Sequence, residues 1–254
     1  MSVAACAEIV RRGDPDRFLA VMAAPVAARQ VLFPIYAFNV EVARAPWVTA
    51  EPLIAQMRLQ WWRDALGEIA GGGVVRRHEV VVPLAHVLDG EAVRLLDGVV
   101  QARHGDIMSD PPDSFQALET YLCETGGNLM AAASHALGGD DPHLAARIGT
   151  AGAAANYLLA VPALMAAGRQ PLMDRPLGTI QDLAGGQLDS LEHLERYRTH
   201  NPPAALRVAF LAAWRARGIL EQARRDPAAV QDGRLGGSEF ARRAGLLRAS
   251  WFGI

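Results

Sequence analysis

The stretch YAFNVEVARAP (36–46) carries Glu41 and Arg44 three residues apart, and WWRDALGE (61–68) carries Asp64 and Glu68 four apart. On a helix, both spacings put the two side chains on one face. Carboxylates one turn apart suit a divalent cation. Here the basic neighbours argue for something plainer. Arg44 is placed to pair with Glu41 on a helix surface or cavity wall, and Arg63 adjoins Asp64 on what reads as a solvated face. Other chemistries are poorly supplied. Cys6 and Cys123 stand far apart with no Cys or His at ligand spacing, and the seven His form neither HExxH nor a close pair. Zinc and a disulfide framework are therefore not expected, and a reducing cytoplasm is. Ser134-His135 and Tyr157 have no acid–base partner within helical reach, and Glu124 is isolated.

The elements that position these residues are helices. The chain has 254 residues, of which 51% are hydrophobic and 20% charged, so a packed core is expected and disorder is not. A net charge of −2 leaves no electrostatic footprint for nucleic acid, and all 25 basic residues are Arg, which we read as gene base composition rather than a phosphate-binding design. Apolar residues recur at helical spacing without sustained alternation, so the class is all-α. Asp14-Pro15 opens a helix through Phe18 and Met22. A second runs over 27–44, with Val31, Ile35, Phe38 and Val42 on one stripe, and ends at Pro46. A third starts at Thr49 and Pro52 and stops at Gly71-Gly72-Gly73. Further helices are predicted over 80–88, 91–103, 115–137, from Pro142 onward, and over 187–199, 203–225 and 239–250. Short connections and the lack of a repeat or linker argue for a single domain over 1–254.

Ile148 to Gly168 contains no charged residue, which is nearly a bilayer-spanning length. It is rich in Ala and Gly and includes Asn156 and Pro162, so a central helix buried by its neighbours explains it better than a spanning one. Glu8, Arg11 and Arg12 interrupt any apolar leader at the start. Peripheral membrane contact, through apolar ends such as Trp251-Phe252, remains compatible with the sequence.

The order of four motifs resembles the squalene/phytoene synthase family: DPDRFLAVMAAPVAAR before YAF, then RLQWWRDAL, YLCETGGNLM and NYLLAVPALMAAGRQPL. The resemblance covers about residues 14–200. It implies an isoprenoid-synthase-like helical bundle around a central cavity, where two Asp-rich motifs hold magnesium and the magnesium holds prenyl diphosphates. Neither motif is kept. Ala43, Arg44 and Trp47 stand at the first. At the second, Asn156 matches, but Leu159, Ala160 and Leu164 replace the Arg and the two Asp, with Gly168-Arg169 fixing the register. The chain is thus similar to the branch of this family that includes a mitochondrial respiratory complex I assembly factor, which also carries Tyr-Ala-Phe-Asn-x-Glu without the Asp motifs.

The resemblance implies a non-catalytic protein with no cofactor. It would bind an isoprenoid or other lipid, contact respiratory-complex subunits, or both. The alternative is a magnesium-dependent prenyltransferase with ligands from Glu41 and Asp64. Residues expected to line the cavity or touch a ligand are Tyr36, Phe38, Asn39, Glu41, Arg44, Arg58, Trp62, Asn128, Asn156 and Arg169. Arg58 and Trp62 are one turn apart and would suit an apolar chain with a cation–π contact, or else a surface charge and a core anchor. Asn128 and Asn156 would either pin helices or contact ligand.

Overall fold

Asp14 and Pro15 open a helix as their types dictate, the Asp14 carboxylate accepting from the Arg17 N–H at 3.0 Å. This helix, α2 (Pro15–Met22), follows one the sequence reading did not assign, α1 (Val3–Gly13). Cys6 and Val10, one turn apart, bury α1 against α3 (Val26–Arg44). The structure is a computed structural model that describes residues 2–49, 51–108, 110–197, 204–237 and 245–246. After α3, a tight turn over Ala45–Trp47 leads to α4 (Pro52–Ala70), then α5 (Val81–Ala85), shorter than expected, and α6 (Gly90–Ala102).

The helix expected over 115–137 is interrupted. It forms α7 (Phe115–Leu122), a wide π-type turn over Cys123–Gly127, and α8 (Asn128–Ala136). The cause is close packing on the central helix α9 (Pro142–Ala166), whose Gly149 faces Gly126. Such a turn shifts the backbone outward by one residue, a device often found beside functional sites. Next comes α10 (Pro176–Tyr197), which starts at Pro176 rather than near Gln187. Gly178, Gly185 and Gly186 lower its intrinsic propensity, but burial of Ile180, Leu183 and Ala184 overrides that. The segment expected as one helix to Arg225 divides into α11 (Ala204–Phe210) and α12 (Ala216–Arg225), followed by α13 (Ala228–Gln231). The break at Leu211–Ala213 lies between α2 and α9, and Arg215 just after it pairs with Asp16. The helix expected over Glu239–Ser250 falls, but for 245–246, outside the described residues, as do Trp251 and Phe252.

The described residues contain helices and no strand, in agreement with the all-α expectation. Helix α9 is the one described helix long and apolar enough to cross a membrane. Here Ala145, Ile148, Ala151, Ala154, Ala155, Leu158 and Val161 bury it against α8, α10 and α12. The thiol of Cys6 sits in the same continuous core, and burial pushes its pKa up to about 11. Cys123 is exposed. A disulfide-exchange reagent at neutral pH should therefore modify Cys123 promptly and Cys6 only after unfolding. Equal rates for the two thiols would contradict the buried α1–α3 contact.

Candidate functional site

Helix α3 turns one face to the core and another to a cavity of about 740 Å³, within the range of small-molecule sites. Asn39, Val40, Ala43, Arg44 and then Trp47 line it at helical spacing. Across it, α9 presents Ala153, Asn156, Tyr157, Ala160 and Leu164, again at three- and four-residue intervals. Between them, α7 and the wide turn supply Leu118, Tyr121, Leu122, Thr125 and Gly126. The loops around 103–113 and 169–171 close the rim.

The wall is apolar in its middle and charged at its ends. Arg103 donates to the Asp106 carboxylate at 3.0 Å and to the Tyr121 hydroxyl at 2.6 Å, and that hydroxyl donates to Asp106 at 3.1 Å. Burial pushes the Tyr121 phenol well above its usual range, with Arg103 pulling the other way. Tyr157 donates to the Pro171 carbonyl at 2.7 Å and is likewise raised by burial, with Asp106 adding to the shift and Arg169 opposing it. Arg17 holds Asp14 at 2.5 Å. Arg169 differs from these. It donates to the Met108 carbonyl at 3.1 Å and lies over the Trp47 ring at 4.1 Å, with no carboxylate partner among the described residues.

Of the residues expected at the site, Asn39, Arg44, Asn156 and Arg169 do line the cavity. Asn156 is exposed to its opening rather than buried. The other six lie elsewhere. Tyr36 is fully buried just behind the wall, beside a void of about 10 Å³ that shares Arg17, Gly126 and Leu129 with the cavity. Its hydroxyl has no partner, and burial pushes its pKa up to about 12. Phe38 and Trp62 are core anchors, packed edge to face with centroids 5.3 Å apart. Trp62 also packs edge-on to Trp61, against which the Arg76 guanidinium stacks at 4.7 Å, so of the two readings of Arg58 and Trp62 the structure gives the core anchor and the surface charge. Arg58 is exposed on α4. Glu41 pairs with Arg44 at 3.2 Å on the outer side of the wall. Asn128 packs on α6, where a Cβ on Gly98 would come within 2.7 Å of its Nδ2.

Sequence reasoning missed Arg17, Arg103, Asp106 and Tyr121. The local signals were the three-residue spacings of Asp14 with Arg17 and of Arg103 with Asp106, each an ion pair in the structure. Arg103 and Tyr121 are 18 residues apart in sequence, and nothing near either one announces the contact.

The positions that would carry two acidic motifs, 43, 44 and 47 on one wall and 160 and 164 on the other, do face each other across this cavity. They bring Ala, Arg, Trp, Ala and Leu, none of which offers an oxygen ligand. The four acids that line the cavity do not make up the loss. Asp14 and Asp106 are held by Arg17 and Arg103, while Asp110 and Asp113 lie exposed on the rim. Among the described residues no three His, Cys, Asp or Glu gather as metal ligands, and Asp64 is exposed, taken up with Gln60 at 2.7 Å. The residues present do not fit a magnesium–diphosphate cluster.

A helical bundle enclosing a cavity between two such walls is the fold of the squalene synthases. A dehydrosqualene synthase structure superposes with a TM-score of 0.75 over 97% of this chain and 94% of its own, at 16% identity. The squalene synthase HpnC from Alicyclobacillus acidocaldarius gives 0.71 over 89% and 94%, also at 16% identity. The family profile for squalene/phytoene synthase matches residues 10–174, and the chain belongs to that family. Among curated proteins it is similar to the NADH dehydrogenase (ubiquinone) complex I, assembly factor 6 homolog of Drosophila melanogaster, 29% identical over 184 residues. That alignment covers 68% of this chain and 53% of the fly protein. The complex I assembly factor 6 of Homo sapiens is 26% identical over 162 residues, covering 62% and 48%. The chain thus spans about half the length of these relatives.

Proposed function

We propose that this chain is a non-catalytic member of the squalene/phytoene synthase family that serves as a respiratory-complex assembly factor and uses its cavity to hold an isoprenoid or other lipid. One observation carries the non-catalytic reading: both walls that should bring carboxylates to a diphosphate bring Ala43, Arg44, Trp47, Ala160 and Leu164 instead. Ionising an allylic diphosphate needs divalent metal on the leaving group, and these side chains cannot hold it. The similarity to complex I assembly factors supports the assembly role. The apolar middle of the cavity, with Leu118, Leu122, Leu129 and Leu164, supports a lipid occupant.

Incubation with farnesyl diphosphate and magnesium should release pyrophosphate no faster than the same mixture without protein. Release at an enzymatic rate overturns the non-catalytic reading and favours a prenyltransferase with rim acids as ligands. For the assembly role, affinity capture from the native host should enrich respiratory-complex subunits over a matched control. Mass spectrometry of the organic extract of the purified protein should show a lipid at near-stoichiometric amount.

A further inference from the structure

The charged end of the cavity is built for a particular head group. Arg169 stacks on Trp47 and lines the cavity, with a backbone carbonyl but no carboxylate for its charge among the described residues. A guanidinium has five donors, and the Met108 carbonyl takes one. Just after Arg169 in sequence, the Pro171 carbonyl accepts from Tyr157, whose ring packs on Tyr121 of the Arg103 cluster with centroids 6.4 Å apart. Arg103 also lines the cavity, but its charge is taken by Asp106 and the Tyr121 hydroxyl, which leaves Arg169 as the arginine there without an acid among the described residues. The unpaired donors of Arg169 at one end of an apolar cavity are complementary to an anion joined to an apolar tail. Exposed Asp110 and Asp113 oppose that charge from the rim, where water screens them.

We infer that the cavity takes an amphiphile with a single anionic head, a carboxylate or a phosphate monoester. Arg169 grips the head beside Trp47 without a metal, and the tail lies along Leu118, Leu122, Leu129 and Leu164. The inference rests on the lipid-binding part of the proposed function and goes further, assigning head-group charge and metal independence. Arg169 acts as the specificity determinant, since its planar fork matches a carboxylate or phosphate edge while the stacked indole holds its orientation.

The test is calorimetric titration of the full chain with decanoate, decyl phosphate and decanol in the presence of EDTA. Both anions should bind about tenfold or more tightly than the alcohol, the difference expected for a charge-assisted contact. Which of the two binds more tightly identifies the head group. Arg169→Gln should remove the preference for anions, with decanol still bound as the sign that the apolar part of the cavity is intact. Arg169→Lys should keep part of the preference, and Arg58→Gln, on the exposed face of α4, all of it. Equal binding of decanol and the anions overturns the head-group assignment but leaves a lipid cavity standing. Anion binding that appears only when the titration is repeated with excess magnesium in place of EDTA overturns it in favour of the rim acids. Failure of all three compounds to bind overturns the lipid reading itself.

Discussion

Gly149→Val should lower stability by about 3 kcal/mol, the upper end for forcing volume into a packed core. In a domain of this size that is a fall in melting temperature of roughly 6–12 °C. At this point α9 crosses the wide turn so closely that a Cβ on Gly149 would stand 2.5 Å from the Met130 Cβ and collide with the Gly126 carbonyl. The contact is reciprocal, since a Cβ on Gly126 would come within 2.7 Å of the Gly149 carbonyl and overlap Ala153. Backbone atoms on both sides leave nothing flexible to move aside. Gly152, one turn along, is a useful comparison because its Cβ would meet only Ala213 at 3.3 Å. Gly152→Ala should therefore cost far less. Similar thermal shifts for the two variants would mean that the helix crossing is not as tight as described. Because Gly126 and Ala153 also line the cavity, Gly149→Val should distort the cavity as well as the core.

The second large effect is expected at Arg103. Changing it to Leu leaves the Asp106 carboxylate and the Tyr121 hydroxyl facing each other without their cation. Breaking one side of a buried ion pair typically costs 3–5 kcal/mol. Here the two side chains are 20% and 17% exposed, so about 3 kcal/mol is the figure we expect. The diagnostic measurement is a double variant, Arg103→Leu with Asp106→Asn, followed by denaturant unfolding. Removing the stranded charge should return part of the loss. A double variant no more stable than the single one would show that Arg103 acts through its packing instead. The single variant should also raise the accessibility of the cavity end, since Arg103 and Tyr121 form part of its wall.

Much of the architecture follows from local chemistry. Asp14-Pro15, Ser114 and Asp141-Pro142 sit where helices start, each side chain accepting the N–H three residues on, and these residue types favour that position wherever they occur. The apolar stripe of α3 and the family motifs told which helices form, and the losses at 43, 47, 160 and 164 were legible as missing acids. The face of each residue was harder to read. Tyr36, Asn39, Ala43 and Trp47 share similar spacing, yet Tyr36 is sealed behind the wall and Trp47 opens onto it. Helical periodicity gives directions relative to one axis, and only the neighbouring helices decide which direction is core and which is cavity. Trp62 is the same case, since a tryptophan satisfies a ligand wall or a core equally well until Phe38 is found against it.

By itself, the sequence determined that the chain is helical, that it carries the order of motifs of its family, and that neither set of metal-binding acids remains. Those are statements about residue types and short-range spacing, which the backbone reads within a few turns. The tertiary structure placed the altered positions across a cavity, as the family resemblance implied, and it alone decided that Arg103 meets Tyr121 and Asp106 and that Arg169 lies on Trp47. Contacts between residues 18 to more than 100 positions apart depend on how helices cross. In this chain those crossings are set by glycines such as Gly126 and Gly149, whose missing side chains carry no local signal of what will pack against them.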